Sequence, residues 1–460
     1  MRATFHLKTL AVAIATLSIA SMSNAAGLDR SGQDITAFLQ DGTYAEAVYT
    51  YIDADVSGFD SANNVPTSNT YVKGNATGDI AESYDFFRYG VKADINDTFS
   101  VGILYDEPFG AAAKYEGDNN FVSKGGNGDE SAREVTGNPL VNQAALNAAA
   151  RAAAINAAAN PNDPNAQAQA QTLGGAARIV AQQDADAGEG TDVEVRSENI
   201  TAILGMKLGA TKNFQVYGGP VAQRVRADIK LRGLAYGPAT GYNAHVNPDQ
   251  DYGYLAGVAF SKPEIALKAA LTYRSEIKHN TQISEDYPVV GINGAVNDME
   301  ITTPKSVNFD FQTGINPTTL ATAKVRWVPW SDFAITPPVY NQVSKQRFPE
   351  GLNLVEYDDD QWQVELGLAK RIAPALAISG TVGWDSGAGD PTTSLGPIDG
   401  YYSVGLGAKY NLTENWAVSA GGKYLWFGDA QGQLPTDKIV GDFQDNDGYV
   451  AGVKISYQAK

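Results

Sequence analysis

Strict alternation of apolar and polar residues is the feature that most limits what this chain can fold into. Near the C-terminus, Tyr449, Ala451, Val453, Ile455 and Tyr457 share one face, while glycine, lysine and serine occupy the other. A period of two is typical of a β-strand whose faces meet different surroundings. About fourteen such segments begin near residues 44, 83, 97, 193, 212, 250, 264, 304, 318, 357, 374, 400, 414 and 447.

The connections between these segments alternate in length. Short connections lie at residues 96–97, 210–213, 262–263, 316–317, 373–374 and 412–415, and long ones at 57–82, 111–192, 233–249, 280–303, 329–356, 386–399 and 428–446. Membrane barrels have tight periplasmic turns and long outer loops. A soluble β-sandwich also alternates its faces, but it has less reason to gather every long loop at one end. The rhythm therefore predicts an all-β fold, a transmembrane antiparallel β-barrel of about 14 strands over residues 44–458.

Composition removes several classes of function. The chain has no cysteine, which excludes disulfides, thiolate metal sites and thiol nucleophiles. The net charge of −18 argues against nucleic acid as a partner. The mean hydropathy of −0.25 excludes a bundle of transmembrane helices, whereas barrel strands need only one apolar face.

The first 25 residues have the organisation of a secretory signal peptide. Arg2 and Lys8 give a positive start, an apolar run follows, and Ser23 and Ala25 precede a cut before Ala26. The apolar run is too short to span a bilayer. Together with the barrel pattern, this segment predicts that the chain is exported to the bacterial outer membrane.

One long loop differs in composition from the rest. Within residues 118–192, the stretch 140–159 is rich in alanine and other strong helix formers, and Asn160-Pro161 ends it. Residues 160–192 are rich in Asn, Gln, Asp and Gly. We interpret this insertion as extracellular and partly helical, either a low-complexity surface segment or a lid that helps to capture an apolar ligand.

No catalytic or metal-binding motif is complete. His245 and His279 are the only histidines after the signal peptide, and they form no Ser-His-Asp order or HExxH spacing. Residues 358–360 and 445–448 are acidic, but neither matches a full calcium loop. We therefore predict no enzymatic activity, no metal and no cofactor.

Four segments of the chain have a distinctive sequence: LTYRSEIKH (Leu271–His279), RWVPWSDF (Arg326–Phe333), residues 96–117 and residues 410–430. They resemble the FadL-type family of outer-membrane long-chain fatty acid and hydrocarbon transporters. The resemblance implies a fourteen-stranded barrel, an N-terminal plug or hatch at residues 26–43, an outer apolar groove, a lumenal pocket, and a lateral exit at a kinked third strand. The family's Asn-Pro-Ala hatch motif is absent, so the plug is expected to be small or to close differently.

The lateral opening is assigned to Glu107, Pro108, Phe109 and Gly110. Pro108 cannot donate a hydrogen bond to a β-ladder, and Gly110 permits a bulge. The position relative to the third strand is the one that the resemblance implies. The alternative is that the strand simply ends here and enters its loop.

Basic residues on faces that we take to be inward are candidates for binding a ligand carboxylate. The set comprises Arg232, Arg274, Lys278 and Arg326. A charge-assisted hydrogen bond from one of them would hold a fatty acid at the end of an apolar slot. The alternative is that they pair with acidic residues and hold the plug to the wall.

These observations predict passive transport of hydrophobic molecules, with long-chain fatty acids as the leading substrate. An aromatic hydrocarbon channel, a general porin and a surface adhesin are the alternatives. The expected partners are the hydrophobic ligand, outer-membrane lipid and lipopolysaccharide, and the expected state is a monomer.

Overall fold

Fourteen antiparallel strands form a closed barrel in the computed structural model, which describes residues 27–66 and 68–459. The barrel closes because the first and last strands pair along their whole length, from Thr43 with Ala459 to Asp55 with Asp447. The predicted fold class is therefore confirmed. The signal peptide predicted at residues 1–25 lies outside the described residues.

The strands follow one another around the barrel in chain order, and three of them are interrupted. They are β1 (Thr43–Asp55), β2 (Tyr84–Asp94), β3 (Phe99–Asp106 and Gly110–Lys114), β4 (Asp192–Leu208), β5 (Phe214–Lys230), β6 (Asn243–Lys262), β7 (Leu267–Arg274 and Ile277–Tyr287), β8 (Ile292–Thr303 and Ser306–Asn316), β9 (Thr319–Val328), β10 (Gln361–Ala373), β11 (Leu376–Asp385), β12 (Tyr401–Asn411), β13 (Trp416–Phe427) and β14 (Asp447–Ala459).

The long loops gather at one end of the barrel, as predicted, but two of the predicted loops are partly strand. Residues 280–303 were expected to form a loop, but β7 and β8 extend through most of them and are joined by residues 288–291. In the same way, β6 already begins at Asn243, inside the loop predicted at 233–249. The exposed residues of these extensions are mostly polar, with Val296 as an apolar exception, so the continuous apolar face that marks a membrane strand is absent from them.

The outer surface of the barrel changes character along each strand. On β5, Phe214 and Val216 are exposed and apolar near the short turns, whereas Arg224 and Arg226 occupy the same face further along. A wide belt of exposed apolar side chains is stable in lipid and not in water. Tryptophan and tyrosine residues border the belt, as aromatic girdles do in membrane barrels; they include Trp362, Trp384, Tyr402, Tyr410 and Trp416.

The helical insertion packs on the outer loops. It contains α1 (Gly128–Thr136), α2 (Gln143–Ala159) and α3 (Pro164–Ala185), and its buried apolar residues contact Leu234 and Val289. The Asn142 side chain caps α2, and Asn160 ends it, which agrees with the predicted helix. No helix in the described part of the chain is long and apolar enough to cross a membrane.

Further short elements cover the outer end of the barrel. A five-stranded sheet contains Gly58–Ser61, Lys73–Ala76, Thr392–Thr393, Ala430–Gln433 and Ile439–Phe443. Near it lie the paired segments Ala334–Ile335 and Val355–Glu356, and the short helix α4 (Pro338–Ser344). The outer half of the lumen therefore lies beneath a folded cap.

Candidate functional site

The third strand is interrupted where the sequence predicts it. The β2–β3 ladder ends at the pair Tyr89–Tyr105, and the second half of β3, Gly110–Lys114, pairs with β4. Above this point, the described residues join the β2 side to β3 through one isolated bridge, Ala81–Ala113, and nearby backbone hydrogen bonds. The wall therefore has a gap between β2 and β3, which pair without interruption below this point.

The hatch and β4 hold the interrupted segment of β3. The Ser197 hydroxyl accepts a hydrogen bond from the Phe109 N–H (2.8 Å) and donates one to the Phe109 carbonyl (2.7 Å). The Arg30 N–H donates to the Pro108 carbonyl (2.7 Å), and the Gly110 N–H donates to the Leu28 carbonyl (2.8 Å). Backbone groups that lost a β2 partner are thus satisfied from inside the barrel, as a low-dielectric surrounding demands.

Side chains bridge the gap that the missing ladder leaves. Glu107 accepts hydrogen bonds from the Tyr84 hydroxyl (3.1 Å) and from the Phe87 amide. The guanidinium groups of Arg30 and Arg196 lie 5.3 and 4.8 Å from the centre of the Tyr84 ring. Side-chain contacts of this kind rearrange more easily than a continuous β-ladder.

Two cavities flank the kink of β3. One, with about 440 Å³ of empty space, has an almost wholly apolar lining that includes Leu28, Phe109 and Trp330. The other, with about 620 Å³, is lined by Tyr84 and Ala111 and adjoins the gap.

A larger space lies lower in the lumen but has a different character. It measures about 910 Å³ and is bordered by Asp310, Lys324 and Glu365 together with wall glycines. These charged side chains distinguish it from the apolar cavity beside the kink. We therefore place the candidate hydrophobic site in the cavity lined by Leu28, Phe109 and Trp330.

Trp330 connects the parts of this site. Its side chain is fully buried, and its ring packs edge-on against Phe109 (5.6 Å between centroids) and Phe333 (5.2 Å). The indole N–H donates to Gln361 (2.9 Å). A methyl group added to Gly27 would lie 2.7 Å from the Trp330 ring, so the hatch also touches it. This tryptophan belongs to the segment RWVPWSDF, but the sequence indicates no role for it, because its neighbours in space lie far away in the chain.

The outer cap above the site is held by a buried carboxylate. Glu285 accepts hydrogen bonds from the Tyr242 hydroxyl (2.8 Å) and from the backbone amides of Val339 (2.9 Å) and Tyr340 (3.1 Å). Burial, and after it the charge of Glu285, raises the pKa of the Tyr242 phenol, which therefore stays protonated. These bonds tie α4 to β7 above the lumen.

The hatch fills the lower lumen. Phe38 is fully buried against Tyr217, with 5.7 Å between ring centroids, and a methyl group added to Gly102 or Gly205 would meet its ring within 3.0 Å. The Asp34 carboxylate pairs with Lys324 of β9 (2.9 Å). The hatch is therefore held in the lumen by the buried Phe38 ring and by buried ion pairs.

Two of the four predicted basic residues have structural partners. Arg326 forms a bidentate pair with the hatch residue Asp29 (2.6 and 3.0 Å). Arg232 donates to Glu189 (2.8 Å) and to Asn243 (2.9 Å), which ties the end of the insertion to the barrel. Both are engaged in holding the fold, the alternative stated for them above.

Lys278 and Arg274 have opposite outcomes. The expectation that Lys278 faces inward is wrong: it lies on the exposed face of β7, 3.5 Å from Glu300. In the part of the strand beyond the apolar belt, charged residues lie on the outer face. A charged residue there does not indicate an inward position, as it would within the belt. Arg274 is buried, its Nη1 donates to Thr201 (3.1 Å), and its Nε and Nη2 have no hydrogen-bond partner. Of the four, Arg274 is the buried one whose guanidinium keeps nitrogen atoms without a hydrogen-bond partner.

Several solved structures share this architecture. A FadL homologue from Pseudomonas aeruginosa has a TM-score of 0.59 at 12% identity, covering 95% of this chain and 96% of that one. The toluene transporter TbuX from Ralstonia pickettii has a TM-score of 0.51 at 11% identity, with 98% of each chain covered.

The chain has the FadL-type barrel fold.

The toluene transporter TodX from Pseudomonas putida agrees, with a TM-score of 0.52 at 9% identity and coverage of 96% and 97%. No protein-family model matches the sequence, and the search of curated proteins also finds no match. The FadL-type resemblance drawn from four short segments is thus supported at the level of the fold, which the backbone retains where the sequence has diverged.

Proposed function

We propose that this protein is a passive transporter of hydrophobic molecules across the bacterial outer membrane, with long-chain fatty acids as the leading substrate. The observation that carries the proposal is the apolar cavity lined by Leu28, Phe109 and Trp330, which lies beside an interruption in the barrel wall. The FadL-type fold supports it, as do the fatty acid and hydrocarbon channels that share the architecture.

The proposed route uses burial as its driving force. A guest leaves the lipopolysaccharide layer, enters the cap, and reaches the cavity bordered by Phe109, Trp330 and Leu28. Each Å² of apolar ligand surface removed from water contributes about 25 cal/mol. Movement of the hatch away from Trp330 and rearrangement of the Glu107 bridge would connect this cavity to the gap, and the guest would then leave sideways into the membrane.

Arg274 is the residue through which a fatty acid would be distinguished from a hydrocarbon. Its two unpaired nitrogen atoms match the two oxygens of a carboxylate. A toluene-like molecule needs only the apolar cavity and gains nothing from this group. Aromatic hydrocarbon uptake is therefore the second candidate, favoured by the almost wholly apolar lining.

Transport is tested by measuring uptake of labelled oleate and labelled toluene by cells with and without the gene. Loss of oleate uptake on deletion supports the leading proposal, and loss of toluene uptake alone supports the second. A general porin would instead pass small polar solutes, and an adhesin would lose attachment on removal of residues 118–192 while lipid uptake continued.

The lateral exit is tested by closing the gap with a disulfide. Ala81→Cys with Ala113→Cys places two thiols on a bridged pair at the upper rim, in a chain with no other cysteine. Ala93→Cys with Val101→Cys is the matched control, because it joins the same strands where the ladder is intact. We expect oxidation of the first pair to stop uptake reversibly and oxidation of the control to leave it unchanged. Equal uptake in both would contradict exit through this gap.

Gly110→Val is a less suitable probe of the gap. A Cβ at Gly110 would lie 2.9 Å from the Val195 carbonyl oxygen of β4, so a valine strains the β3–β4 ladder itself. A loss of transport in that variant would not separate a closed opening from a disturbed wall.

A further inference from the structure

A second interruption of the barrel wall lies between β6 and β7. Their ladder runs from Lys262–Leu267 to Leu255–Arg274 and resumes at Val246–Ile283 in the same register. Residues 247–254 and 275–282 therefore face each other without ladder pairs in the described structure. Two hydrogen bonds join the edges of this stretch. At one end the Ser275 N–H donates to the Tyr254 carbonyl, and at the other end the Thr281 hydroxyl donates to the Asn247 carbonyl.

A bulge in β6 explains the interruption. On the β5 side, Val225 pairs with Asp249 and Ala227 pairs with Val246, so β6 has one residue more than β5 over this stretch. Pro248 lies inside the extra stretch and has no N–H to donate. The bulge turns the inward side chains of β6 toward the unpaired edge of β7.

Three side chains of types that can bind a metal ion meet where the β6–β7 ladder is missing, at residues 247–254 and 275–282, which we call the seam. Asp249, Asp251 and His279 each place one ligand atom within 4.8 Å of the other two. His279 is fully buried, and its Nδ1 lies 3.3 Å from the nearer Asp249 oxygen. The two aspartates are half-buried, so the group faces enough open space for an ion to enter.

The hydrogen bonds around His279 determine which ring nitrogen carries the proton. Its Nε2 lies 3.0 Å from Gln223 Oε1, which also accepts the Thr303 hydroxyl, while the Gln223 amide nitrogen donates to Asn199 (2.9 Å). With the Gln223 amide in this orientation, the acceptor at this position places the proton on Nε2. In the neutral ring, Nδ1 then directs a lone pair at the Asp249 carboxylate.

Two lone pairs at 3.3 Å repel each other unless a cation lies between them. Ligands bound at about 2.0–2.2 Å to one zinc ion lie about 3.0–3.5 Å apart, so the observed separation suits two adjacent ligands. A second proton on the imidazole would also relieve the repulsion. The third group, Asp251, favours the metal, because one proton needs a single acceptor and an ion takes several ligands.

We propose that Asp249, Asp251 and His279 form a binding site for a divalent transition-metal ion, with zinc as the matching probe, that joins β6 to β7 where their ladder is missing. One imidazole nitrogen and two carboxylates suit zinc better than magnesium, which prefers oxygen ligands alone. Gln223 orients the histidine from behind, as residues around metal ligands commonly do. The site is independent of the transport route proposed above.

Zinc titration of the whole purified protein tests the proposal. Tag-free barrel, folded in detergent and treated with a chelator, is titrated with zinc chloride in a calorimeter and, separately, with magnesium chloride. We expect one zinc site and no comparable magnesium binding. His279→Asn and Asp251→Asn should each weaken zinc binding at least about tenfold.

His245→Asn is the matched control. His245 is exposed and contacts one carboxylate, Asp228 at 2.6 Å, so it lacks the second acidic ligand. This variant should bind zinc like the unmodified protein. Hydrogen exchange of the unmodified protein provides a second measurement that requires no variant: zinc should slow exchange at residues 247–254 and 275–282. Zinc binding that survives His279→Asn, or is absent from the unmodified protein, or leaves exchange at the seam unchanged, would overturn the proposal.

Discussion

Phe38→Ala is expected to unseat the hatch while leaving the barrel assembled. Phe38 is fully buried in the lower lumen, where glycines at positions 102 and 205 leave room for its ring beside Tyr217. Truncating a buried phenylalanine costs about 3–5 kcal/mol, part of it through the cavity left behind. Because the ring contributes to the seated state of the hatch and little to strand pairing, most of this cost falls on the seating equilibrium. That equilibrium should shift by about 10²–10³-fold.

The assay is ion conductance of the purified protein in planar bilayers, together with protease cleavage within residues 27–42. Phe38→Ala should raise conductance and admit the protease, while heat-dependent gel mobility reports an intact barrel. Phe99→Ala, on the lipid-facing side of β3, removes the same side chain without touching the hatch and should change neither measurement. If conductance and cleavage in Phe38→Ala equal those of the control, the proposal that the Phe38 ring holds the hatch in the lumen is refuted.

Further substitutions probe the ion pair, the ligand cation and the wall. Asp29→Asn leaves the buried Arg326 guanidinium without its carboxylate, which should cost about 3–5 kcal/mol of hatch seating and speed hydrogen exchange in residues 27–34; unchanged exchange would contradict it. Arg274→Gln should weaken fatty acid binding about 10–100-fold, measured by quenching of tryptophan fluorescence, and should leave toluene binding unchanged. Lys278→Gln is the control, because Lys278 lies on the outer face, and it should change the binding of neither ligand. Gly110→Val should lower the yield of heat-resistant folded barrel, because its Cβ would meet a β4 carbonyl at 2.9 Å; a normal yield would show that the strand tolerates the side chain.

The strands in the lipid belt were predictable because their pattern has a local cause. Each residue there faces either lipid or lumen, so alternation can be read from neighbours in the sequence, and β9 to β14 begin within a few residues of the predicted positions. The extensions of β7 and β8 beyond residue 280 were missed because both of their faces meet water or protein. The interruption at Pro108 was readable for a similar local reason, since proline lacks the donor that a ladder requires.

The partners of the charged and aromatic residues depend on closure of the barrel. Arg326 meets Asp29 across 297 positions of sequence, and Trp330 meets Phe109 and Gly27. No periodicity records such contacts, because they arise only when the hatch enters the lumen and β1 pairs with β14. The amino-acid sequence alone thus determined the number of barrel strands, because each residue of a strand is selected by whether it faces lipid or lumen. The tertiary structure decided which cation holds the hatch and which keeps unpaired nitrogen atoms, since pairing of buried charges depends on what folding brings within about 4 Å.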